Sequence, residues 1–271
     1  DNKETKKQEH KPFSGYTIVI DPGHGGIDPG KIGINDALDK NINLSISLYI
    51  EEILKNYKKP KILDLGAGCG AYSVPLSKYY DVTALELVKH NLKVIEKNSQ
   101  NIKLIHGNAT NLNMLEDNSF DVILIFGPMY HLISSEEKLK CLNEAKRVLK
   151  KNGTILISYI MNDYAIIRHG FKDKHILEEI NKIDDSFHII SKEDDLYSYV
   201  RLDDIDKLNK LANLRRIKII SQDSVSNYMR EYINKLNDEE FELFIKFQLS
   251  ICERYEMLGL STHVLDILKE D

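Results

Sequence analysis

The sequence predicts an α/β fold: a doubly wound, mostly parallel sheet with an antiparallel C-terminal strand and helices on both faces. Three observations carry this. Short apolar runs of strand length alternate with helix-period segments from residue 61 to 159, the pattern of a parallel sheet covered by helices. The first run, KILDL, breaks into glycines at alternate positions, Gly66, Gly68 and Gly70, before a helical segment begins. The last apolar run, Val264 to Leu268, follows a long helix rather than a crossover and reads as an added edge strand.

In chain order, residues 1–12 are polar and without periodicity and read as a tail. Tyr16 to Ile20 (YTIVI) reads as a strand, followed by DPGHGG and a turn-rich loop to Asp36. From Ile42, apolar residues at Ile46, Ile50, Ile53 and Tyr57 predict a helix that ends before Pro60. Strand 61–65 leads to a helix at 70–79, strand 82–86 to a helix at 88–98, and strand 102–106 to a loop. Strand 121–126 leads to a helix at 134–149, with Ser134 and Glu137 as a capping box and Asn152-Gly153 as its stop. Strand 154–159 follows, then loose helix at 162–182, helix 203–213, strand 217–220 and a long helix from Asp238 to Tyr255.

A chain of 271 residues with 42% apolar and 29% charged residues buries a sizeable core and keeps a water-soluble surface. A net charge of −5, with no basic cluster interleaved by aromatics, argues against nucleic acid as a partner. Three scattered cysteines argue against a disulfide framework and for a reducing compartment, and no apolar run reaches membrane-spanning length.

A strand that dissolves into glycines and restarts as a helix lets backbone approach a ligand closely, at the carboxyl ends of the strands where open α/β sheets bind ligands. GAGCGA also satisfies the dinucleotide fingerprint, so a nicotinamide or flavin enzyme competes at this point, as does a turn with no ligand. Glu86 ends the next strand about 20 residues after the first glycine, where a carboxylate can accept from two ribose hydroxyls. Asn108 and Ala109, after the third strand, offer an amide and a backbone N–H to an adenine edge. The loop Gly127-Pro128-Met129-Tyr130-His131 opens from the fourth strand at the same end of the sheet.

Together these segments resemble the class I S-adenosylmethionine-dependent methyltransferases. DLGAGCG resembles their first motif, Glu86 their ribose-binding acid, GNATNL their adenine contact, FDVILIFGPMYHL the fourth motif and EAKRVLKKNGTILIS the helix, turn and fifth strand. The resemblance extends through NYMRE and CERYEMLGLSTHVLDILK to a group of small bacterial enzymes carrying GP-x-YHL. It implies a Rossmann-like domain over 45–271, a methyl transfer from S-adenosylmethionine to a small-molecule acceptor, and a cytoplasmic location. It assigns Asp64, Gly66, Ala67, Gly68, Gly70, Glu86, Leu87, Asn108, Ala109 and Phe126 to the cofactor. Asn108 stands where the wider family often has Asp. His131, beside Tyr130, is the candidate general base in sequence, with packing under a lid as the other role open to both residues.

Residues 15–44 resemble a different family, the start of zinc-dependent N-acetylmuramoyl-L-alanine amidases. There the His of DPGHGG binds zinc, which places His24, and a Glu before NL is the second ligand, where this chain has the shorter Asp39. His106 is a superficial match to the third ligand and belongs to the third strand of the other domain, so no metal site is expected. The chain therefore reads as a fusion of a polar tail and amidase-like fragment, 1–44, onto a methyltransferase. A cell-wall amidase and a non-catalytic adenosine-binding module are the alternative functions.

Overall fold

The computed structural model describes residues 44–271, with side chains from Tyr49 onward. The tail, the strand expected at Tyr16–Ile20, the loop with His24, Asp39 and the start of the helix at Ile42 lie outside the described residues. The elements run α1 (Leu44–Leu54), β1 (Lys61–Leu65), α2 (Ser73–Leu76), β2 (Asp81–Glu86), α3 (Lys89–Asn98) and β3 (Ile102–His106). Then come β4 (Phe120–Ile125), α4 (Pro128–His131), α5 (Ser135–Val148), β5 (Leu149–Ile160), α6 (Asn162–Ala165) and α7 (Leu202–Ala212). β6 (Leu214–Ser221), α8 (Arg230–Ile233), α9 (Asp238–Ile251) and β7 (His263–Glu270) complete the chain.

The strands form one seven-stranded sheet in the order β3-β2-β1-β4-β5-β7-β6. β1 to β5 pair in parallel, and β7 is antiparallel to both β5 and β6. Both faces of β1, β2, β4 and β5 are buried, which is why they read as nearly continuous apolar runs, whereas β3 at the edge is only partly covered. Leu63, Leu65, Ile123, Ile125, Ile155 and Ile157 face α5 and α7, where Leu142, Ala145, Ile205 and Leu208 complete one core layer. Ile62, Val82, Ala84, Val122, Leu124 and Leu156 form the other with Ile95 of α3 and with Ile50 and Leu54 of α1.

α1 is thus part of this sheet's packing, and its flanks are tied down as well. The Tyr49 hydroxyl donates to Glu253, and the Tyr57 hydroxyl donates to Asn152 O at 3.0 Å.

Four expectations need correction. The helix expected at 70–79 is the single turn α2, because Pro75 has no N–H to donate and the residues around it close separate turns. The capping box at Ser134 and Glu137 is present, but α5 ends at Val148, not at Asn152-Gly153. Leu149 has already turned extended to pair with Phe120, and Lys150 lies in the strand with Nζ 2.7 Å from Asp121. The long helix ends at Ile251 rather than Tyr255. Finally, β7 is not an edge strand: it lies between β5 and β6, and β6 is the edge.

The reason is a charged residue in the middle of an apolar strand. Asp266 of β7 is completely buried, and Arg216 of β6 donates to it from Nε at 2.6 Å and from Nη2 at 2.9 Å. Asn209 of α7 donates to the same carboxylate at 2.7 Å. A buried carboxylate with these partners fixes which strand lies on its flank, because a shifted neighbour would leave it unpaired.

Arg216→Met is expected to cost about 3–5 kcal/mol of unfolding free energy, the range for removing one partner of a buried ion pair. Urea denaturation of the full chain measures it, and a loss below about 1 kcal/mol would contradict the role given to the pair.

Candidate functional site

At the carboxyl end of β1 the chain turns on Gly66 (φ +75°) and Gly68 (φ +54°), left-handed conformations that side chains rarely adopt. The two positions have different surroundings. A Cβ on Gly66 would stand 2.5 Å from Cγ of Pro128, so this glycine lets the loop after β4 close over the turn. A Cβ on Gly68 would meet nothing within 4 Å, so this backbone faces open space. Gly70 is directed at Ile95 and Val74 and packs α2 against α3.

The turn is stitched to the end of β2. Gly66 and Ala67 donate to Leu85 O at 2.7 and 3.1 Å. Gly68 N–H donates to Glu86 Oε2 at 2.9 Å, while Glu86 Oε1 accepts from Val88 N–H at 2.8 Å and from Asn91 Nδ2 at 3.4 Å. Glu86 is 6% exposed, and the next residues, Leu87 and Val88, are 59% and 50% exposed. A carboxylate has about four acceptor positions, so this one retains capacity for a hydroxyl beside its backbone bonds. A buried acid flanked by uncovered apolar side chains offers a hydrogen-bond acceptor and an apolar shelf together, the surroundings that a ribose and a flat base require.

Around it stand the other residues singled out from sequence. Gly107 N–H donates to Glu86 O at 3.1 Å, and Asn108 follows with Oδ1 accepting from Thr110 N–H at 3.0 Å. Ala109 is buried beside them, and Met114 next to Gly107 is half-exposed. Phe126 packs edge-on against Tyr72 at 4.7 Å between ring centroids. Asp64 is buried under the turn and accepts from the Ser73 hydroxyl at 2.6 Å, bracing the turn from behind.

Tyr130 and His131 lie in α4, directly after the proline that covers Gly66. The His131 ring is exposed, with Nδ1 3.0 Å from Leu196 O. A carbonyl only accepts, so Nδ1 carries the hydrogen and the neutral ring keeps its lone pair on Nε2. The segment ahead is held by Lys138 of α5, whose ammonium donates to Leu132 O and, at 3.1 Å, to Ile133 O. Burial pushes the Lys138 ammonium down to about 8, opposed by the charges of Glu137 and Asp204.

Sequence reasoning missed two rings here. Tyr197 lies 5.2 Å from the His131 ring and 6.1 Å from Tyr130, and His263 lies 6.0 Å from Tyr130. Burial holds the His263 imidazole below its ordinary value, with Asp223 opposing the shift. Asp223 also accepts from the Ser261 hydroxyl at 2.6 Å and from Thr262 N–H at 2.8 Å, fastening the entry to β7 where His263 sits. No spacing rule connects residues 131, 197 and 263; only the register of β7 against β5, with Ile160 opposite His263, brings the last one here.

Among the described residues no group of three His, Cys, Asp or Glu side chains is placed to hold a metal ion. No helix among them is long and apolar enough to cross a membrane.

Comparison with known proteins agrees with the two resemblances. Residues 63–157 match the family described as a methyltransferase domain, and residues 18–65 match the family described as N-acetylmuramoyl-L-alanine amidase. A SAM-dependent methyltransferase of Leishmania major superposes with a TM-score of 0.55 at 17% identity, over 84% of this chain and 72% of that one. One from Methanosarcina mazei superposes with a TM-score of 0.54 at 15% identity, over 82% and 96%. At such identities the likeness speaks for the fold, which is that of these methyltransferases. A putative N-acetylmuramoyl-L-alanine amidase of Buchnera aphidicola is 55% identical over 42 residues, which is 16% of this chain and 18% of the relative. The chain thus spans about a fifth of the length of the curated relatives it matches.

Gly66→Ala is expected to destabilise the chain more than Gly68→Ala, because only the first meets Pro128 as well as backbone strain, and equal losses in urea denaturation would contradict this assignment. For Lys138 the folded value lies below the unfolded one near 10.4, so between about pH 8 and 10 the unfolded chain binds the extra proton and stability rises with pH. Lys138→Met is expected to remove that rise, read as the wild-type-minus-variant difference in unfolding free energy across this range.

Proposed function

We propose that the chain binds S-adenosylmethionine across the ends of β1, β2 and β3 and directs its methyl group to a small-molecule acceptor beside α4. One observation carries the reading: Gly68 N–H is bonded to the buried Glu86 carboxylate while Gly68 itself faces open space. A backbone without a Cβ, next to a fixed acid with spare acceptor capacity, suits an adenosine ligand, and the methyltransferase-domain match over 63–157 supports the same ligand.

In this reading Glu86 takes a ribose hydroxyl, Leu87, Asn108 and Ala109 border the adenine, and Ala67 and Gly68 bring backbone to the amino-acid end. Gly66, Gly70, Asp64 and Phe126 shape the pocket from behind. Bound there, S-adenosylmethionine supplies an already activated sulfonium methyl, so the protein's task is alignment, exclusion of water and, for a protonated acceptor, removal of a proton. Orientation alone is worth roughly 7–11 kcal/mol of barrier. His131, with its lone pair on Nε2, is the proton acceptor, and Tyr130 positions it.

The reading divides the chain into an amidase-like part, 1–44, and a methyltransferase part, 45–271, joined within a helix. The amidase match continues to residue 65, yet residues 44–65 form α1 and β1 of the methyltransferase sheet, which favours this sheet as their functional context. A cell-wall amidase is the weaker reading, because Asp39 is one methylene shorter than the ligand it would replace. The cofactor is a cytosolic metabolite, which points to the cytoplasm.

Isothermal titration of the full chain with S-adenosylhomocysteine tests the reading. The wild type is expected to bind, and Glu86→Ala to weaken binding by about 10- to 150-fold, the equivalent of about 1.5–3 kcal/mol for charge-assisted hydrogen bonds. Unchanged affinity in the variant, with an unchanged circular dichroism spectrum, would overturn the assignment.

A further inference from the structure

We propose that the cavity between residues 165–170 and the segment 179–199 holds the body of the methyl acceptor, and that it selects a neutral or cationic single-ring compound over an anion. The proposal rests on the methyl-transfer reading above and deepens it.

Size comes first. The cavity has a volume of about 200 Å³. A dry cavity of about 150 Å³ admits benzene, whereas pockets for drug-sized ligands run to about 300–1,000 Å³. One ring with a short side chain is therefore a body that this volume holds. The walls are suited to it, with Ile166, Ile183, Ile189, Leu196, Tyr197 and Tyr199 presenting aliphatic and aromatic surface.

Charge comes second. The cation on the lining, Lys182, is engaged by Glu179 at 3.2 Å and by Asp195 at 2.9 Å, and all three line the cavity. Two carboxylates against one ammonium leave a negative excess. An entering anion is repelled by this excess, while a cation is attracted and a neutral ring is indifferent.

Position comes third. Leu196 and Tyr197 wall the cavity and are the same residues that hold His131, through the Leu196 carbonyl and the Tyr197 ring. A ring seated against Tyr197 touches the side chain whose ring lies 5.2 Å from that of His131, and in the proposal its nucleophilic substituent reaches Nε2. The acceptor's nitrogen or oxygen forms its bond to the methyl carbon as the carbon–sulfur bond breaks, the electron pair stays on sulfur, and the acceptor's proton passes to Nε2.

The test needs no cofactor. Benzylamine, benzyl alcohol and benzoate are titrated into the full chain, following the histidine side-chain resonances of His131 and His169. The expected result is saturable binding of the first two, with benzoate at least tenfold weaker. Ile183→Trp, which fills the cavity, is expected to weaken benzylamine at least tenfold while leaving S-adenosylhomocysteine affinity within twofold. A Glu179→Gln, Asp195→Asn double variant is expected to reverse the preference in favour of benzoate. Failure of all three probes to bind, equal binding of benzoate and benzylamine, or indifference to Ile183→Trp overturns the proposal. Loss of S-adenosylhomocysteine binding by the wild type itself would instead overturn the methyl-transfer reading, and the probe titrations would still decide what the cavity accepts.

Discussion

The hydrogen bond from Gly68 to Glu86 couples two strand ends that are 18 residues apart in sequence, and the site is built outward from it. It requires β1 and β2 to be parallel neighbours in register, as they are from Lys61 opposite Asp81 to Leu65 opposite Leu85. It also requires a glycine turn that swings back over the end of β2 instead of continuing outward. Gly66 supplies the turn by accepting a left-handed conformation and by leaving room for Pro128. One missing methyl group thus lets the β4 loop lie across the β1 loop, and that contact determines where Tyr130 and His131 stand.

The far side of the sheet solves a different problem. β6 and β7 are contributed by the last part of the chain, and β7 runs against the direction of both β5 and β6. An antiparallel strand with an apolar pattern has little to keep it in place except its partners, and a one-residue slip would invert its faces. Asp266, buried and held by Arg216 and Asn209, supplies that specificity. The same strand delivers His263 to Tyr130, so the ion pair in the core and the ring at the site share a single register.

Much of this was legible from particular residues. The alternation from 61 to 159 marked the parallel strands because double-sided burial demands uninterrupted apolar runs, and Ser134 with Glu137 marked the start of α5 because the capping box is a local, side-chain-to-backbone device. The helix expected at 70–79 rested on apolar spacing alone, and the structure follows the N–H that Pro75 lacks. Gly153 looked like a helix stop, yet pairing of Leu149 with Phe120 ends the helix earlier, a tertiary contact with no local sign.

By itself the sequence determined the parallel sheet, the glycine turn and the acid at the end of β2, because each rests on short-range periodicity or backbone freedom. The tertiary structure alone decided that β7 lies inside the sheet, that Asp64 faces Ser73, and that Tyr197 and His263 lie near Tyr130. Those facts depend on strand order and on contacts between residues tens of positions apart, and apolar patterning says which face of a strand is buried without saying which neighbour covers it.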